Sequence, residues 1–215
     1  MWKYYPKLQT KVLALAVLVF VYLADNAFAG NWEYYLEYKA KAPLIEKDKL
    51  YFNFKEETRY KDGANYYRKS FFGVSKSVSP NLDIAFYYAF KQKRSNNWEK
   101  LSMFWPEVIY RIPFKTMVLE SNSKLERHTS QNFWRAREKL RLIYLLNDKV
   151  KVWIGDEVRY FFKEDYWGEN EFLIGLNTKF TRNLSLDTYY DYRNIKNGRN
   201  WDGANCLRFA FSFKF

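Results

Sequence analysis

The sequence predicts an all-β protein, a single antiparallel transmembrane barrel of the outer-membrane type with about 10–12 strands, behind a cleavable signal peptide. Three observations carry this expectation. The first 29 residues are laid out as an export signal, the remainder alternates apolar and polar residues throughout, and 21% of the 215 residues are aromatic. That last figure, from 19 Phe, 19 Tyr and 8 Trp, exceeds what a water-soluble core ordinarily needs, whereas Tyr and Trp favour membrane interfaces. With 48% hydrophobic and 28% charged residues, the chain is neither a disordered tail nor a helical membrane protein. A single cysteine excludes a disulfide framework and a Cys-based zinc cluster, and a single histidine argues against a His-rich metal site. Neither a metal nor a cofactor is therefore expected.

Residues 1–29 read as the signal peptide. Lys3, Lys7 and Lys11 supply a basic start with no acid before residue 12, and Val12 to Ala24 is an unbroken apolar run. Ala27-Phe28-Ala29 then forms an A-x-A cleavage site with Gly30 as the first mature residue. As a helix the 13-residue run would rise only about 20 Å, short of the roughly 30 Å hydrocarbon core, so a membrane anchor fits less well. The residue after the site is not cysteine, which argues against lipid anchoring. Removal of the segment takes the formal charge from +12 to +10, so the exported chain, residues 30–215, stays strongly basic.

From residue 31 the period is two. Eleven segments alternate, near 31–41, 49–60, 66–77, 81–93, 98–110, 114–126, 133–146, 149–163, 170–181, 184–194 and 203–215. The first sets Trp32, Tyr34, Leu36 and Tyr38 against Glu33, Tyr35, Glu37 and Lys39. The second opposes Leu50, Phe52 and Phe54 to Asn53, Lys55, Glu57 and Arg59. Segment 66–77 takes either register, and 98–110 contains Pro106, which cannot donate to a ladder. In 133–146, Arg135, Arg137, Lys139 and Arg141 share one face. The last segment alternates Leu207, Phe209, Phe211, Phe213 and Phe215 with polar or small residues and stops on phenylalanine. Phe211, Phe213 and Phe215 resemble the terminal aromatic signal read by bacterial barrel-assembly machinery. Tight turns at Ser79–Asn81, Asn147–Lys149 and Thr181–Asn183 predict one rim; longer polar connectors at 61–65, 95–97, 128–132, 164–169 and 195–202 predict the other.

In a bilayer such a sheet must close, because hydrocarbon satisfies no backbone hydrogen bond. Apolar positions then face out and charged ones in. The inner charge cluster expected from the pattern includes Glu37, Glu57, Arg59, Arg135, Arg137, Arg141, Glu157 and Arg159. Mixed signs favour an ion-paired, plugged or narrowly hydrated lumen. The sharper alternative is an anion-selective pore lined by Arg135, Arg137 and Arg141. Two features resist the pattern. Glu138 falls on the outward, apolar row of its segment, and eleven is odd where outer-membrane barrels are usually even. Either one segment is not a wall strand, or the first and last strands pair in parallel.

The layout resembles the family called domain of unknown function 2490 over roughly residues 31–215. The resemblance rests on Trp32 opening the first strand, Glu57-x-Arg59, Phe72-Gly73-Val74, Arg135-x-Arg137-x-x-x-Arg141, Asp156-Glu157 and the aromatic C-terminus. At 114–126 it departs, with Glu120, Asn122 and Lys124 where basic inward residues would be expected. The resemblance implies a Gram-negative outer-membrane barrel without an established activity and carries over no catalytic residue.

One cluster reads otherwise. His128-Thr129-Ser130, with Asn132, resembles the H-x-S pair of outer-membrane phospholipases and lipid A deacylases, in which His is the base and Ser the nucleophile. Gln131 replaces the first residue of the Asn-Gly that follows the serine in the phospholipase pattern, and those enzymes carry the pair on a strand wall beside lipid rather than in an extracellular loop. The expectation is no enzyme, with an acyl hydrolase as the alternative. The expected partners are outer-membrane lipid, lipopolysaccharide phosphates met by Arg127, Arg94 or Lys61, and the assembly machinery during biogenesis. An exported barrel meets no nucleic acid, and nothing in the sequence sets an oligomeric state.

Overall fold

The structure, a computed structural model, describes residues 32–94, 98–163, 165–198 and 200–215. Ala27, Ala29, Gly30 and the rest of the proposed signal lie outside the described residues.

Eleven strands follow one another: β1 (Trp32–Ile45), β2 (Leu50–Lys61), β3 (Ala64–Ser79), β4 (Leu82–Arg94), β5 (Trp98–Phe114), β6 (Met117–His128), β7 (Phe133–Leu145), β8 (Val150–Phe161), β9 (Tyr166–Lys179), β10 (Leu184–Asn197) and β11 (Asn200–Lys214). They form one closed barrel in which each strand pairs with its sequence neighbours. The odd number has a direct consequence. The first and last of eleven alternating strands run the same way, and β1 pairs with β11 in parallel from Trp32↔Asn205 to Lys41↔Lys214. No sheet edge remains. All eleven segments are thus wall strands, which decides between the two explanations of the odd count.

The two rims do not differ in connector length as the sequence pattern predicts. Strand bounds leave spans of two to four residues on both. Polar segments read as loops continue the ladder instead: Arg193 to Asn197 pair residue by residue with Ala204 to Asn200. At a strand end both faces meet solvent, so polar side chains do not prevent backbone pairing, and a paired N–H or C=O is favoured over a stranded one. The expected 61–65 loop is a two-residue turn at Asp62-Gly63 with positive φ at both positions, 51° and 74°, the hairpin geometry that Asp-Gly supports.

Two strands that were hard to phase have local causes. In β3 the pairing to β2 shifts between Arg59↔Tyr67 and Tyr60↔Asn65, leaving Tyr66 as a bulge. Both Tyr66 and Tyr67 then serve the interior, where Tyr66 Oη donates to Glu33 Oε2 at 2.6 Å. In β5, Pro106 keeps its place opposite Phe86 of β4. Toward β6 the pairing jumps from Phe104↔Arg127 to Glu107↔Lys124, so the missing donor falls in a gap of that ladder.

The outer face is apolar for most of its height. Tyr38 stacks on Phe211 at 5.8 Å, Phe54 on Phe72 at 6.3 Å, and Phe86 meets Phe104 at 6.0 Å. Glu138 does lie outward. Ser121 donates to one of its oxygens at 2.6 Å and Ser123 to the other, so neighbouring hydroxyls solvate it locally.

Candidate functional site

The interior is where chemistry-bearing side chains converge. Period two places Glu37, Glu57, Arg59, Arg135, Arg137, Arg141, Glu157 and Arg159 on the inner face; all but Arg141 share one connected ionic network, and Arg141 joins a separate cluster with Glu120, Arg111 and Asp83. Arg137 bridges Glu126 at 2.8 Å and Glu157 at 2.5 Å. Arg159 joins Glu157 at 2.7 Å to Glu171 at 2.5 Å, and Arg208 joins Glu171 at 3.4 Å to Asp191. Lys55 bonds Glu37 at 2.8 Å, and Arg59 bonds Glu57 at 2.5 Å. The chain of pairs therefore runs from β6 through β11 to β2. Buried charges are tolerable only when paired and hydrogen-bonded in this way.

The arginine row of β7 is consequently not a free anion track. Arg135 is held by Glu126 at 2.5 Å, Arg137 by Glu126 and Glu157, and Arg141 by Glu120. Toward the rim where Trp32 begins, the network becomes a plug. Tyr35, fully buried, is flanked by Arg59 and Arg208, each 4.2 Å from its ring centroid. Its hydroxyl donates to Glu33 at 2.9 Å, and Arg193 reaches the same carboxylate at 3.5 Å.

Below that plug lies a cavity of about 670 Å³. It extends to Asp148, Lys149 and Thr181–Asn183, the turns of the C-terminal rim, and its described lining includes neither Glu33 nor Tyr66 at the other end. The described lining holds eighteen Lys and Arg against six Asp and Glu. Five of those arginines (Arg135, Arg137, Arg141, Arg159 and Arg208) pair with Glu120, Glu126, Glu169, Glu171 and Asp191 behind the lining, so the excess that attracts anions resides mainly in the lysines.

The wall formed by β3, β4 and β5 is different. Phe71, Tyr87 and Trp105 face the cavity, with Trp105 stacked on Tyr87 at 5.3 Å and edge-on to Phe71 at 5.3 Å. Gly73 makes that stack possible. A Cβ there would sit 2.4 Å from a ring carbon of Tyr87. Gly175 does the same under Trp153, where a Cβ would lie 2.5 Å from the indole. Lys69 extends over Phe71 and Trp105, and Lys91 over the neighbouring Tyr67.

The remaining sequence-derived candidates are dispersed. His128 is the last residue of β6, not part of a loop, and points inward, stacking on Phe133 at 4.2 Å with Glu126 Oε2 at 3.7 Å from Nε2. Ser130 Oγ instead accepts the Ser102 backbone N–H at 2.9 Å on the exposed rim, and Asn132 accepts from Arg127. The structure does not bring His128 and Ser130 together: no hydrogen bond joins them. Phe211, Phe213 and Phe215 lie at the opposite rim, where Phe215 is 73% exposed. Lys61 and Arg94 end β2 and β4 at the Trp32 rim, the rim at which β6 also ends, just past Arg127. Among the described residues no group of three or more His, Cys, Asp or Glu is arranged to hold a metal ion.

The inner charge cluster expected from the sequence leaves out Glu107, Glu126 and Glu171, and Lys69 and Trp105 have no place in it either. Glu126 and Glu171 stand opposite Arg135 and Glu157 of that cluster and follow the same alternation, so the signal is present in the sequence. Lys69 and Trp105 sit in the two segments whose phase was ambiguous.

Comparison with known proteins agrees with this architecture. A solved structure of the NanC porin, in a rhombohedral crystal form, superposes with a TM-score of 0.51 and 13% identity, over 86% of this chain and 100% of that one. At that identity the likeness is of fold alone. No curated protein matches the chain. The model of the family described as protein of unknown function (DUF2490) matches residues 32–204, from the opening Trp32 of the barrel into its last strand, and the chain belongs to that family.

Proposed function

We propose that this protein is an outer-membrane barrel of a Gram-negative bacterium, exported by residues 1–29, that admits small anions into its lumen and conducts them rather than transforming them. The observation that carries this reading is the set of cavity-lining lysines without a carboxylate partner among the described residues, Lys41, Lys69, Lys91, Lys149, Lys151 and Lys179 included, around a cavity reaching one rim. The apolar outer face, the closed backbone ladder and the terminal Phe211, Phe213 and Phe215 support a bilayer location. In that setting the C-terminal rim faces the periplasm. Lys61, Arg94 and Arg127 then stand at the outer leaflet, where lipopolysaccharide phosphates are their natural counter-ions. The porin likeness is in keeping with a conducting role.

The test is purified protein in planar bilayers under a potassium chloride gradient. Small discrete steps with a reversal potential on the chloride side are expected, because the ionic plug narrows one end while the lining selects the anion. Reversing charge at the mouth with Lys149→Glu and Arg182→Glu should move that potential toward cation preference. A cation-selective wild type would overturn the anion reading. Silence at high protein load would leave a closed structural barrel.

A further inference from the structure

Most inward cations are held by carboxylates, but among the described residues several cavity-lining lysines, Lys41 and Lys151 included, have none within 4.0 Å, and two of these lysines face each other. Lys69 of β3 and Lys91 of β4 occupy directly opposed positions on adjacent strands. Neither ammonium has a carboxylate within 4.0 Å among the described residues. Lys69 is only 8% exposed and lines the cavity. Opposed like charges destabilise a strand pair, and a buried charge without a counter-ion costs more still. What surrounds them is aromatic. Lys69 Nζ lies 4.6 Å from the Trp105 ring centroid and 5.2 Å from that of Phe71, while Lys91 Nζ lies 5.5 Å from that of Tyr67.

We infer that Lys69 and Lys91, with the Phe71–Tyr87–Trp105 wall, form a binding subsite for a small organic anion that carries a flat apolar group. The inference rests on the reading that anions enter the lumen and names the class the lumen prefers. The acid head bridges the two ammonium groups and relieves their repulsion. The flat group lies against the stacked Tyr87 and Trp105 rings, where inorganic chloride gains nothing. At about 670 Å³ the cavity falls within the roughly 300–1,000 Å³ typical of small-molecule sites.

The test compares benzenesulfonate with methanesulfonate, two fully ionised anions that differ in the apolar group, by titration calorimetry on the full barrel in detergent micelles, with empty micelles subtracted. Benzenesulfonate should bind at least tenfold more tightly. Lys69→Met should weaken its binding about tenfold and Lys69→Arg should restore it. Trp105→Leu should bring the affinity for benzenesulfonate down to within about threefold of that for methanesulfonate, and Tyr87→Leu serves the same purpose if the first variant does not fold. Equal affinity of the two anions, or unchanged binding in Lys69→Met, overturns the inference. Bilayer recordings on the same preparation separate the two claims. Anion selectivity without a benzenesulfonate preference removes the subsite alone, whereas silent bilayers with intact benzenesulfonate preference remove conduction and keep the subsite.

Discussion

From β6 through β11 to β2 the inward guanidinium groups meet carboxylates, whereas across β3 and β4 two inward ammonium groups meet aromatic rings. Both arcs belong to one barrel, and both come from strands alternating with the same period. Their energetics differ. In the ionic arc the charges answer one another: Arg208 serves Asp191 and Glu171, and Arg137 serves Glu126 and Glu157. Such a network specifies which strand neighbours which, but it leaves little charge for a ligand. In the aromatic arc Phe71, Tyr87 and Trp105 supply burial without charge, and Lys69 over Phe71 and Trp105 and Lys91 over Tyr67 keep their field. Structure is held by one arc and affinity by the other.

The largest effect should come from breaking the ionic arc at a link without a spare. Asp191 is fully buried and Arg208 is its ion-pair partner. Arg208→Met should therefore cost about 3–5 kcal/mol by stranding that carboxylate, read as a lower urea midpoint of unfolding in detergent. Adding Asp191→Asn should recover much of the loss, because the stranded charge is gone. A loss under about 1 kcal/mol in the single variant would mean that the pair is not desolvated in the folded barrel. In the aromatic arc, Gly73→Ala forces a Cβ against the Phe86 carbonyl oxygen at 2.2 Å and the Tyr87 ring. Overpacking of this kind costs about 1–3 kcal/mol. An unchanged urea midpoint would show that the Tyr87–Trp105 stack is free to shift aside.

The same contrast explains what was legible beforehand. Alternation puts a residue on a face, and in strands with one apolar row it does so cleanly: Glu37 and Glu57 follow from the phase of Leu36, Tyr38, Phe52 and Phe54. It does not name neighbours. That Arg137 is spent on Glu126 and Glu157 depends on the register of three strands, so the arginine row reads as free cations until the pairing is known. The aromatic arc was obscured for a different reason. Phe71 and Phe72 are adjacent and point opposite ways, and the bulge at Tyr66 changes the phase within β3. Beside Trp105, Pro106 argues against a regular strand, yet it is accommodated by a gap on one side only. The parallel closure of β1 on β11 follows from the odd count once every segment is a wall strand, a condition that pairing alone establishes.

The smallest expected change in stability is the one that separates the arcs most sharply. Lys69→Met removes a buried cation from the inner wall, as Arg208→Met does. If burial of a charge were all that mattered, both would act alike. Lys69, however, has no carboxylate to strand, and its opposite neighbour is Lys91, so its removal relieves a like-charge pair and leaves a thioether beside Trp105 and Phe71. Sulfur–aromatic contacts of that kind are favourable by about 0.3–1.5 kcal/mol. The urea midpoint of Lys69→Met should thus equal or slightly exceed that of the wild type in the absence of any added organic anion. A fall comparable to that of Arg208→Met would mean that Lys69 has a structural counter-charge, and the two arcs would then be one continuous network.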